Sequence, residues 1–136
     1  MTNWGCEVYF VGERMVSNFG TVNATKVFIQ EGEHRSPLDL AHEVKAFSLD
    51  FEWGYMGAGP AQLSIAMLRV ALGCPKLTER FWRQFLFDVV SCLHGNNWAI
   101  EVESVRSYVA KYLEREDKER DYSPVDEAER LLGGKR

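Results

Sequence analysis

This chain of 136 residues has no surplus of positive charge: 16 Lys and Arg stand against 20 Asp and Glu, a formal net charge of −4. A sequence-independent grip on nucleic acid needs a basic face, so direct nucleic-acid binding is disfavoured. The same acidic balance does not exclude contact with a basic protein surface, including the positively charged grooves of nucleic-acid enzymes. Cysteine is equally sparse. Cys6, Cys74 and Cys92 are odd in number, widely spaced and form no CxxC pair. That pattern argues against a disulfide framework and fits reduced thiols of a cytosolic protein. No run approaches the ~20 apolar residues of a membrane span, and Met1 to Cys6 lacks the basic and apolar regions of a signal peptide. The expected setting is soluble and cytoplasmic, with no membrane partner.

What the chain does hold is aromatic area, in four Trp, eight Phe and five Tyr. So much ring surface must be buried or lie at a contact. The length suits one domain with a proper core, and the patterning divides it into residues 1–113, an α+β domain, and 114–136, a charged C-terminal arm with a short amphipathic helix.

Cys6 to Val11 and Thr25 to Gln30 carry strand propensity. Gly12, Asn18, Gly20 and Asn23 between them are turn residues, consistent with a long hairpin loop or with a further short strand near Met15 to Phe19. Ser36-Pro37-Leu38-Asp39 has the order of a helix N-cap, first-turn proline and acidic capping residue, so a helix is expected from there to Ala46–Ser48. Pro60 to Leu72 repeats apolar residues every three or four positions and is hydrophobic most of the way round, as in a central helix, with Gly73 and Pro75 to stop it. Thr78 to His94 reads as the longest helix, with Phe81, Phe85, Val89 and Leu93 in one line. Trp98 to Val102 alternates like a half-buried strand. Ser104 can cap a further helix carrying Val105, Tyr108, Val109 and Tyr112 inward. Glu114 to Asp121 is nearly all charged, a solvated helix end or linker, and Ser123-Pro124 starts a last short helix.

Candidate chemistry concentrates in Phe51 to Leu63. Gly54, Gly57 and Gly59 with Pro60 permit positive φ and close backbone approach, and the helix start behind them offers N–H groups that can hold an anion. The lysine of a phosphate loop is missing, and the glycine spacing is not that of a dinucleotide fingerprint. Pro60 also removes one donor. Trp53 and Tyr55 can stack on a flat ligand or form an interaction hot spot, or Trp53 can plug the core. Glu52 and Gln62 complete the candidate set of Glu52, Trp53, Tyr55, Gly57, Gly59 and Gln62 for binding a partner or ligand. Asp39, His42 and Glu43 on one helical face lack any HExxH-type spacing, and His34 and His94 lie far off in sequence, so no metal site is expected. No cysteine or serine sits in a nucleophile pattern. Arg80 and Arg83 could form a small anion-binding face, though solvated helix charges are the commoner case. No catalytic residue and no cofactor are assigned.

The run Phe51-Glu52-Trp53-Gly54-Tyr55-Met56-Gly57-Ala58-Gly59-Pro60-Ala61-Gln62-Leu63 resembles the signature of a family of small bacterial and phage proteins of unknown function. Its members pair a Phe-Glu-Trp-Gly-Tyr turn with a Gly-Ser-Gly-Pro-Ala-Gln-Leu helix start. Tyr9 to Gly12, Phe81 to Val90 and Trp98 also fall where that family has similar residues, and the similarity covers roughly Glu7 to Val109. Met56 and Ala58 depart from it. The resemblance implies a shared α+β fold and a bacterial or mobile-element setting, without an activity.

These readings lead to a small antiparallel sheet, the N-terminal hairpin plus the Trp98 strand, packed on two central helices. The functional expectation is a non-enzymatic protein-interaction module, of the type of a phage-encoded inhibitor of a host defence or nucleic-acid enzyme (an anti-CRISPR is one example). The alternative is a module that cups a nucleotide-like anion over the glycine-rich helix start. Either is compatible with a homodimer.

Overall fold

The computed structural model describes residues 7 to 121. Four strands and three helices follow the order β1 (Val8–Val16), β2 (Val22–Glu31), β3 (His34–Pro37), α1 (Ala58–Leu72), α2 (Pro75–Asp88), β4 (Asn97–Glu101) and α3 (Val102–Asp121), with a 3₁₀ turn at Val90–Cys92. The fold is α+β. Its chain divides into two compact units, Met1–Arg106 and Ser107–Arg136.

In the first unit the strands form one antiparallel sheet in the order β3-β2-β1-β4. β1 is central over Tyr9 to Glu13, pairing with β2 on one side and β4 on the other, with Phe10 opposite both Ile29 and Ile100. Directly opposed residues share a face. One face therefore carries Val8, Phe10, Val27, Ile29 and Ile100, of which Phe10 and Val27 are fully covered. The β1–β2 hairpin runs longer than the sequence propensity alone indicates, because both strands continue past β4 toward the turn.

Helix α1 is the hub of the core. Pro60 to Leu68 are buried without interruption, as expected of a helix that is apolar most of the way round. Gly73 ends it in the left-handed conformation and returns its N–H to Arg69 O, while Pro75 opens α2. Helix α2 packs on α1 through a narrower stripe of Phe81, Trp82, Phe85 and Leu86.

The structure corrects three sequence expectations. Ser36 to Ser48 does not form a helix. Ser36 and Pro37 close edge strand β3, opposite Ile29 and Phe28. Leu38 N–H then bonds Val27 O, and Asp39 Oδ2 accepts from Ala41 N–H, with Ala41 at φ 60. The same cap chemistry closes a turn, because sheet pairing has claimed the residues before it. The expected helix from Thr78 to His94 stops at Asp88, where Val89 leaves helical geometry (φ −122). Two successive β-branched residues weaken the helix there, and Val90 O is taken by Gly54 N–H. Helix α3 starts at Val102, directly from β4, so Ser104 lies in its first turn. The short helix expected after Ser123 lies outside the described residues.

In the second unit α3 continues. Val109 is buried, the Tyr108 and Tyr112 rings lie 5.1 Å apart, and the Arg115 guanidinium sits over Tyr112 at 5.1 Å.

Candidate functional site

The Phe51–Gln62 segment links the sheet to α1, and most of its polar groups are bonded within the fold. Glu52 is the first anchor. Its Oε1 accepts from Arg14 Nη2 at 2.6 Å and its Oε2 from the Thr25 hydroxyl at 2.9 Å, so one carboxylate ties this loop to β1 and β2. Arg14 also donates to Gly95 O (3.2 Å), Asn96 Oδ1 (3.3 Å) and Trp53 O (3.4 Å). Its guanidinium lies 4.4 Å from the centre of the Trp53 ring, a cation–π arrangement.

Trp53 is buried, donates its indole N–H to Gly95 O at 2.9 Å and meets Trp98 edge-on at 5.4 Å. The glycines have separate geometric reasons. Gly54 sits at φ 92, where a side chain is strained, and its added Cβ would lie 3.0 Å from Leu93 O. At Gly59 a Cβ would stand 2.9 Å from Glu52 Cβ, so the turn of α1 can approach the anchor only without one. Gly57 is the N-cap of α1 in extended conformation, with the Tyr55 ring against it.

Gln62 is the second anchor. It is fully buried, and its amide is saturated by main chain of the irregular segment before the motif. Oε1 accepts from Phe47 N–H (2.6 Å) and Ser48 N–H (3.0 Å), and Nε2 donates to Leu40 O (2.6 Å) and Lys45 O (3.0 Å). Those four bonds hold a stretch that has no regular secondary structure of its own, satisfying groups that would otherwise be lost to burial.

Of the six candidate residues, Glu52, Trp53 and Gly59 thus converge on one structural joint with Arg14, while Gln62 holds a separate one with the 40–48 segment. Tyr55 stands apart at 51% exposure, beside Met56 at 57%. The start of α1 presents few donors: Pro60 has no N–H, and Ala61 N–H already bonds Gly57 O. Asp39, His42 and Glu43 do not share a helical face. His42 Nε2 lies 2.7 Å from Ser48 O, and Glu43 pairs with Arg69. No metal-binding group of three or more ligands occurs among the described residues. Arg80 and Arg83 lie over the rings of Phe81 and Trp82.

A second feature lies outside the motif. The tip of the β1–β2 hairpin is a constructed turn: Ser17 Oγ accepts from Phe19 and Thr21 N–H, Ser17 N–H bonds Thr21 O, and Gly20 N–H bonds Ser17 O. Gly20 supplies the positive φ. This frame projects Phe19, 94% exposed, with Met15, Val16 and Val22 also open to solvent. Its sequence signal is a large apolar side chain set among turn residues, Asn18-Phe19-Gly20, which turn propensity alone passes over. From Val22 a groove runs along β2, first about 250 Å³ against Asp50 and Glu52, then about 330 Å³ between Val27, Leu38, Leu40, Leu49 and Phe51.

The model of a family of unknown function, DUF6166, matches residues 10–111, and the chain belongs to that family. No curated protein and no solved structure matches it.

Proposed function

We propose that this member of the DUF6166 family is a protein-interaction module whose contact surface is the hairpin tip and the groove beside it. The observation that carries the reading is Phe19. A bonded turn holds a large apolar ring outward at 94% exposure, and an ordered apolar anchor surrounded by further exposed apolar residues is the form that contact surfaces take. The net charge of −4 supports a basic partner, such as the groove of a nucleic-acid enzyme. Inhibition of such an enzyme by a phage- or mobile-element-encoded chain in the cytoplasm is the specific form of this proposal.

The test is affinity capture with the tagged chain and with Phe19→Ser. One dominant partner retained by the parent and lost by Phe19→Ser, with an unchanged melting temperature, supports the reading. If the parent retains no partner, or Phe19→Ser retains it undiminished, the hairpin is not the contact surface. Surface substitutions of this kind move stability by less than about 0.5 kcal/mol, so loss of capture would not reflect unfolding.

A further inference from the structure

The order of the sheet leaves one stretch of β2 without a neighbour. β2 pairs with β1 along its length, but β3 covers only Phe28 to Glu31. One more bond, Leu38 N–H to Val27 O, continues that edge before the chain turns away. Main-chain groups alternate sides along a strand. Val27 directs its C=O to the β3 side, where it accepts from Leu38 N–H, so Thr25, two residues away, directs its N–H and C=O groups to the same side. Val27 N–H and both main-chain groups of Thr25 have no main-chain partner among the described residues.

The groove lies along this edge. Thr25, Asp50 and Phe51 line both of its parts. Its far wall is the loop that carries Leu49, 79% exposed, and Asp50, whose carboxylate has no ion-pair partner among the described residues. Its floor at the β3 end is apolar, formed by Val27, Leu38, Leu40 and Phe51. Open hydrogen-bonding edge, apolar floor and an unpaired acid thus occupy one site.

We infer that this groove takes an extended peptide segment of a partner protein by strand addition to β2 at Thr25–Val27, with an apolar side chain over Leu38 and Leu49 and a Lys or Arg facing Asp50. The inference rests on the protein-interaction reading above and names the chemistry of the partner. Three features select this occupant. The unsatisfied main-chain donors and acceptor are complemented by an extended backbone, which brings the same groups at the same repeat. The alternation of floor and solvent matches the two-residue period of a strand. The Asp50 carboxylate complements a cation, whereas the Glu52 carboxylate in the same wall is already engaged by Arg14 and Thr25; the Lys26 side chain, by strand alternation, lies on the sheet face of Glu13 and not on that of Thr25 and Val27.

The experiment uses the full chain and a defined probe, a fluorescent six-residue peptide of alternating Val and Thr with one central Lys. The expected result is saturable binding with slowed amide exchange at Thr25 and Val27. N-methylation of the peptide at alternate residues, removing the main-chain donors that face β2, should weaken binding at least tenfold, as should Leu49→Asp. Asp50→Lys should reverse the preference toward a Glu-bearing peptide, a gain of binding that misfolding cannot imitate. Equal binding of the N-methylated peptide, or no protection at Thr25 and Val27, overturns strand addition. A concentration-dependent dimer abolished by Leu49→Asp would assign the edge to a second copy and overturn the inference as well. If the probe fails while Phe19-dependent capture persists, strand addition alone falls; if capture also fails, the interaction reading falls with it.

Discussion

The segment Phe51–Gln62 and the β2 edge with its hairpin face one another across Glu52, and they treat polar groups in opposite ways. In the first, both carboxylate oxygens of Glu52, the indole N–H of Trp53 and all four bonding positions of Gln62 are engaged within the fold. In the second, Val27 N–H and the main chain of Thr25 lack main-chain partners among the described residues, and the tip exposes Phe19. A recognisable motif here marks where the fold is stapled. The exposed apolar surface lies beside it, where side chains carry less internal obligation.

The largest effect is expected at Gln62. Gln62→Leu keeps similar bulk but leaves four main-chain groups without their partners, and each buried unsatisfied group costs about 1–3 kcal/mol. Some of the loop can rehydrate, so the expected loss is about 3 kcal/mol in urea denaturation. A loss below about 1 kcal/mol would mean that the loop is held by other contacts. Glu52→Ala should follow at about 2 kcal/mol, since it strips a partly buried Arg14 of its carboxylate while leaving that guanidinium its carbonyl acceptors. Leu49→Asp, on the exposed side of the comparison, should change stability by less than about 0.5 kcal/mol.

Much of the fold was legible where a residue pattern had one physical solution. Pro60 to Leu72 is apolar nearly all round and had to be a buried helix; Gly73 and Pro75 bounded it. Trp98 to Val102 alternated and became β4 with a one-residue offset. Ser36-Pro37-Asp39 reads as a helix start and is instead the end of a sheet edge and a turn, because a proline before an acidic residue serves both. Pairing with Phe28 and Ile29 decided it, and that is a long-range fact. At the candidate site, the glycines and Tyr55 were readable as a turn that enters a helix. The partners of Glu52 and Gln62 were not, since Arg14 and Leu40 are joined to them only by tertiary folding. Nor could local pattern reveal that β3 stops short of Thr25.

A third kind of polar site sharpens the contrast at the small end of the scale. Glu101 at the end of β4 shares a hydrogen bond with the Glu7 carboxyl, which, with the Glu7 charge, some desolvation and the Glu103 charge, raises its pKa above the ordinary carboxylate value. Tyr9 donates to Glu7 at 2.7 Å, and Arg106 lines the same depression of about 320 Å³, donating to Glu103 at 2.8 Å. A raised folded pKa means that the folded chain holds the proton more tightly than the unfolded chain. The Glu101 contribution is therefore fully present below its unfolded pKa and is lost as pH rises through its folded value. Glu101→Gln should flatten that part of the stability–pH curve measured by thermal melting, because an amide keeps a donor toward Glu7 without titrating. The group is only half-buried, so the change should be the smallest of the series and shrink further in high salt. An unaltered slope in Glu101→Gln would place the acid response elsewhere; a total stability change across the titration comparable to the loss from Gln62→Leu would erase the distinction between stapled and solvated polar groups.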